Sequence, residues 1–102
     1  MEEVVKAYDL QFPDYLAGYE VETESKGYLV GVRVVTSEAT YELTVYDVAR
    51  LVEEVADEVE SDGSFAVANL MVVPRVTRVD IARAVERRSR SGFAGLMPRV
   101  EV

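Results

Sequence analysis

The sequence predicts a small α+β domain: a mostly antiparallel sheet of four to five strands with two amphipathic helices packed on one face, in the order β-β-β-β-α-β-α. Three observations predict it. Two stretches, 45–60 and 77–89, repeat apolar residues at the three- and four-residue spacing of a helix. Shorter stretches between turn signals alternate in polarity or run apolar, as strands do. A chain of 102 residues at 49% hydrophobic content can fill one core. Residues 1–102 therefore read as a single domain, with 91–102 an irregular tail or a short final strand.

Residues 4–12 are apolar enough for a first strand, although their mixed pattern does not fix its face, and Pro13-Asp14-Tyr15-Leu16 suits one helical turn. Residues 20–25 alternate Glu20, Glu22 and Glu24 with Val21 and Thr23, a period of two that predicts a strand with a solvated acidic face. Lys26-Gly27 is a turn. Residues 28–36 follow as its hairpin partner, with Tyr28, Val30, Val32 and Val34 on one side and Leu29, Gly31, Arg33 and Val35 on the other. Residues 39–43 complete a meander in which Tyr41 and Leu43 share a face.

The first helix is predicted from Val45, Val48, Ala49, Val52, Val55, Ala56 and Val59, which project onto one stripe. Thr44 is placed to cap it, Asp47 suits its first turn, and Leu43 and Val48 could clasp the cap. Ser61-Asp62-Gly63-Ser64 ends it. Residues 65–73, nearly all apolar apart from Asn69, suit a strand covered on both sides. The second helix repeats the grammar of the first: Val76, a Thr77 cap, Asp80, Ile81, then Ala82, Ala84 and Val85, running to about Ser89. Residues 91–98 hold too much Gly and Pro for a helix, and 99–102 could add a strand.

Thr44 to Glu53 and Thr77 to Glu86 share T-x-x-D-[VI]-A-R-x-V-E at an offset of 33 residues. A duplicated unit would produce this. So would two helices independently obeying the same capping and amphipathic rules, the simpler reading because the flanking strands do not match.

Composition closes several chemistries. The chain has no cysteine and no histidine. It therefore offers no disulfide, thiolate nucleophile, imidazole base or Cys/His metal set of its own. No phosphate-binding loop, dinucleotide fingerprint, calcium loop or nucleophile elbow is present. The alternating Glu20, Glu22 and Glu24 read as a solvated face rather than a cation site, because strand neighbours of this kind are about 6.6 Å apart and diverge. Carboxylate chemistry at Asp9, Asp14 or Glu42 is open only in principle, since no spacing singles them out. The expectation is a non-enzymatic protein with no catalytic residues, metal or cofactor. The acidic start Met1-Glu2-Glu3 is unlike a secretory signal, and no apolar run reaches membrane-span length. A soluble, cytoplasmic protein with no membrane partner is expected.

The net charge of −8 is unevenly spread. Residues 1–73 hold 16 acids and 4 bases, net −12, and residues 74–102 hold 3 acids and 7 arginines, net +4. Such a dipolar chain suggests charge-guided association. The predicted partner-binding surface is the acidic side of the first helix, Asp47, Glu53, Glu54, Asp57 and Glu58, facing a basic protein or the basic region of another subunit in a homo-oligomer. The alternative is anion binding by Arg83, Arg87 and Arg90, which fall within about 60° on the second helix and could hold phosphate or nucleic acid. The overall acidity opposes approach to a polyanion. Arg88 points toward the apolar side, where it must snorkel outward or meet an acid.

Overall fold

The structure, a computed structural model, describes residues 7–99. The protein is an α+β domain built on a four-stranded mixed sheet with three helices. The strands are β1 (Tyr8–Gln11), β2 (Tyr28–Thr36), β3 (Thr40–Tyr46) and β4 (Leu70–Val72), side by side in that order. The helices are α1 (Glu20–Lys26), α2 (Val48–Asp62) and α3 (Arg78–Ser89). A single 3-10 turn, Asp14–Leu16, lies where one helical turn is expected. The chain order is thus β-α-β-β-α-β-α. β1, β2 and β3 pair antiparallel, while β4 returns parallel to β3 after the α2 crossover.

The largest departure from the sequence reading is α1. Its alternation is carried by acids, not by apolar residues, and glutamate and lysine are better helix formers than strand formers. Glu20 and Glu22 occupy its first turn and Lys26 its last, favourable ends of the helix dipole. Gly27 then takes a left-handed conformation (φ 71°) and donates its N–H to the Glu24 and Thr23 carbonyls, closing the helix. With no strand at 20–25, β2 pairs with β1.

A bulge between Val30 and Val32, with Gly31 at φ 85°, changes which β2 side chains share a face. Before it Leu29 points to the core; after it Val32 and Val34 do, while Tyr28, Val30 and Arg33 lie on the opposite side. Strict alternation through Gly31 would have put Leu29 on the wrong face. The core is one apolar layer between this face and α3: Val32, Val34, Leu43, Val45 and Met71 from the sheet meet Val76, Ile81, Val85 and Phe93. Burying each large aliphatic there stabilises the fold by about 1.5–3 kcal/mol. Tyr8 and Tyr41 flank Phe93, with ring centroids 5.6 and 5.4 Å from its own.

The expected two helices on one face are not found. α3 covers the core face, whereas α2 sits at one end of the opposite face. Tyr28 and Tyr46 point there as a cross-strand pair, their ring centroids 4.9 Å apart. Phe65 meets the Tyr46 ring edge-on, and the Arg50 guanidinium of α2 lies 5.6 Å from the Tyr28 ring centre.

Residues 65–73 form a strand only over Leu70–Val72. The reason is Asn69, whose backbone is left-handed (φ 52°). Its side-chain N–H₂ donates to the carbonyls of Glu42 (3.0 Å) and Met97 (2.8 Å), and its Oδ1 accepts from the Met97 N–H (2.8 Å). Asn69 thus ties the C-terminal segment beside β3, where the Arg99 N–H donates to the Thr40 carbonyl at 2.6 Å. Of the strand expected at 99–102, residues 100–102 lie outside the described residues, as does the 4–6 part of the expected first strand.

Candidate interaction surfaces

The two helices sharing the ten-residue similarity start differently. Thr77 caps α3 as its pattern predicts, accepting from the Asp80 N–H at 3.2 Å, and its neighbours Val76 and Ile81 are both buried. Thr44 caps nothing. It lies within β3, and the cap of α2 is Asp47, whose carboxylate accepts from the Arg50 N–H at 2.8 Å. Pairing explains the shift of three residues: Val45 and Tyr46 are flanked by Leu29 and Tyr28 on one side and by Met71 and Val72 on the other. Two strand partners outweigh the local helical period. Val45 consequently belongs to the sheet core, and Leu43 and Val48 form no clasp, the first being buried and the second exposed. Equal letters hold unequal places in the two segments.

The later start also reorients the apolar stripe of α2. None of its fifteen residues is buried. Val48 and Val52 are each 62% exposed, Val55 37% and Val59 48%. The side turned toward the domain is instead the line Arg50, Glu54 and Glu58 with Leu51, all partly covered. Arg50 and Glu54 form a 2.7 Å ion pair one turn apart. That contact raises the Arg50 pKa further, while burial lifts the Tyr46 hydroxyl beneath it above its ordinary value.

The predicted acidic surface is therefore split. Asp47 is spent as the cap beside Gly27, Glu54 is paired with Arg50, and Glu58 faces Asp62, whose hydrogen bond and repulsion raise its pKa. Glu53 and Asp57 remain exposed and share one line with Glu60. At 100° per residue the centre of that line lies roughly 140° around the helix from the centre of the valines. α2 thus turns an apolar strip about 16 Å long to one outer flank and a line of carboxylates to the other.

The predicted arginine stripe is also redistributed. Arg90 is clamped by Glu86, with contacts of 3.0 and 3.3 Å, and Arg83 lies 3.9 Å from Asp80. Arg87 and Arg88 have no ion pair among the described residues. Arg88, expected on the apolar side, snorkels outward and borders a groove of about 660 Å³ between β4 and α3 together with Arg83 and Arg87. Sequence periodicity had no means of showing this groove, which depends on β4 being the sheet edge. Arg78 stacks 4.9 Å from the Phe12 ring centre and lies 3.4 Å from the Glu20 carboxylate, joining α3 to α1 and to the segment after β1.

The carboxylates considered for chemistry are not brought together. Asp9 accepts from the Gln11 side chain on β1, Asp14 begins the 3-10 turn, and Glu42 pairs with Arg33 at 3.6 Å across β2 and β3. Glu42 borders a groove of about 610 Å³ with Asn69, Met97 and Arg99. Glu20, on a helix rather than a strand, accepts from the Gly18 N–H and meets Arg78. Among the described residues no three His, Cys, Asp or Glu side chains are grouped to hold a metal ion, and no helix is long and apolar enough to cross a membrane.

These features define a class: a small α+β domain with a helix that exposes an apolar flank and an acidic flank on one side of its sheet, and an arginine-lined edge on the other. Comparison with protein-family models, with curated protein sequences and with solved structures finds no match for the chain.

Proposed function

We propose that the protein is a non-enzymatic interaction domain, working in the cytoplasm, whose α2 helix docks a basic protein surface. The observation that carries this reading is the exposure of the valine stripe on a helix with no buried residue. Amphipathic helices ordinarily bury that stripe in their own domain. Here a partner would bury it, and the carboxylates of Glu53, Asp57 and Glu60 on the other exposed flank of the helix favour a partner that also presents lysine or arginine. They also weigh against pairing of α2 with the α2 of a second copy, because a twofold contact sets each patch against itself and acids would face acids. Self-association through α2 would have to engage the arginine-rich region of the other copy.

Affinity capture followed by reconstitution with the purified partner tests the proposal. Glu53→Lys/Asp57→Lys/Glu60→Lys and, separately, Val52→Ser/Val55→Ser should each weaken the reconstituted complex at least tenfold, and raised salt should weaken the unaltered complex. A complex indifferent to both variants would remove α2 as the contact element.

A further inference from the structure

We propose that the groove between β4 and α3 is a second binding site, taking an extended acidic peptide as an added strand beside β4. The first support is the edge itself. The Thr44 N–H donates to the Asn69 carbonyl, and the Val73 N–H to the Tyr46 carbonyl, in a parallel register pairing Thr44, Val45 and Tyr46 with Leu70, Met71 and Val72. Along a strand, successive residues turn their backbone groups to opposite sides. Residues 69, 71 and 73 thus face β3, and the N–H and C=O groups of Leu70 and Val72 face outward at the edge of the sheet, with no further strand beside them among the described residues. Such a row of donors and acceptors is what an incoming strand pairs with.

The second support is the chemistry of the walls. Met71, Val73 and Ala84 line the groove, and Arg83, Arg87 and Arg88 stand along its α3 side. Asp80 is the single carboxylate there, and it lies against Arg83. A strand added beside β4 would send alternate side chains toward α3 and toward the opposite face, where Leu70 and Val72 are partly exposed. Arg83 and Arg87 are spaced about 6 Å along the helix, close to the roughly 6.6 Å between alternate residues of a strand. The matching ligand alternates carboxylates, which meet the guanidiniums, with β-branched apolar residues, which extend the apolar patch of the other face.

The same arginines select among occupants. Pairing of two β4 edges from two copies would bring both arginine sets together. A nucleic acid would satisfy the arginines yet leave the backbone edge unused.

The test is fluorescence anisotropy with a dye-labelled hexapeptide alternating valine and glutamate. It should bind at low salt at least tenfold more tightly than its valine–lysine counterpart and than the version N-methylated in one alternating phase, the version methylated in the other phase, whose N–H groups point away from β4, binding as the parent does. Arg87→Glu/Arg88→Glu, which alters exposed side chains only, should weaken it at least tenfold. Val72→Pro, which deletes one outward N–H at a position where an edge strand tolerates proline, should weaken it several-fold with the circular dichroism unchanged. The α2 variants should leave it unaffected, so this site and the α2 reading fail separately. Equal binding of the glutamate and lysine peptides, indifference to N-methylation, displacement by a single-stranded oligonucleotide at equal concentration, or a dimer in sedimentation that Val72→Pro dissolves would each overturn the proposal.

Discussion

Truncating the outer valines of α2 should leave stability nearly unchanged, whereas truncating a core valine should lower it. Val52 and Val59 keep 62% and 48% of their surface in water, so the burial that Val→Ala can remove is about half or less of the 1.5–3 kcal/mol that a fully buried valine provides. Alanine, in turn, is the better helix former by about 0.5 kcal/mol. The two nearly cancel, and Val52→Ala and Val59→Ala should therefore stay within about 0.3 kcal/mol of the unaltered protein. Val85, fully buried on α3, provides the comparison: Val85→Ala removes two methyl groups from the packed layer and should destabilise by about 2 kcal/mol. In a domain of this size that corresponds to a fall in Tm of roughly 10 °C, against a change within about 2 °C for the α2 variants. Urea and thermal denaturation followed by circular dichroism, at two protein concentrations to expose any contribution from association, measure both. A loss above about 1 kcal/mol for Val52→Ala at both concentrations would show that the stripe is buried within the domain, and the argument for a partner would fall with it.

Asn69→Ala removes three partly exposed hydrogen bonds and sets alanine, which tolerates a left-handed backbone less well than asparagine, at φ 52°, together about 2 kcal/mol, whereas Asn69→Gly should recover roughly 1 kcal/mol of that; equal losses by denaturation would contradict the conformational part. Gly27→Ala should destabilise by more than about 1 kcal/mol, because the new β-carbon meets the Asp47 carboxylate and φ is 71°; wild-type stability would contradict the packing of the α1 end against the α2 cap. The Asp62 carboxyl, through its hydrogen bond and repulsion, raises the Glu58 pKa, so native Glu58 takes up its proton before the unfolded chain does and its contribution becomes more favourable as the pH falls into the glutamate range. Glu58→Gln should accordingly raise the Tm at neutral pH and have little effect near about pH 4. Glu20 is the reverse case. Backbone hydrogen bonds at its own N–H and that of Gly18, aided by Arg78, lower its pKa, so its stabilisation is present at neutral pH and lost on acidification. Glu20→Gln should lower the Tm at neutral pH only, and equal pH profiles for the two variants would refute both assignments.

Much of the architecture is written in local rules. α3 follows from a Thr77 cap, an acid in the first turn and apolar residues on either side of the cap, all of which act within a few residues of one another. The α+β class follows from the periodicities. What local pattern could not supply are the places where distant pairing decides: β3 runs to Tyr46 because strands flank it on both sides, and the bulge at Gly31 changes the facing of β2. The candidate surfaces show the same division. Their residue types were legible as an acidic helix and an arginine-rich one, but the side of α2 that meets water depends on a start set by Asp47 and on the tyrosine pair beneath Arg50. Only the strand order shows that Arg88 stands beside the edge of the sheet.

We propose the valines of α2 as an open surface suited to a basic partner. The most direct measurement is methyl NMR of valine-labelled protein titrated with a helical peptide of leucines on one side and lysines on the other. A soluble paramagnetic agent should broaden the Val48, Val52 and Val59 methyls in the free protein while Val45 and Val85 stay sharp. The peptide should protect the α2 methyls, and a glutamate version of the peptide should not. Broadening absent from the α2 valines in the free monomer, or equal protection by both peptides, would contradict the proposal.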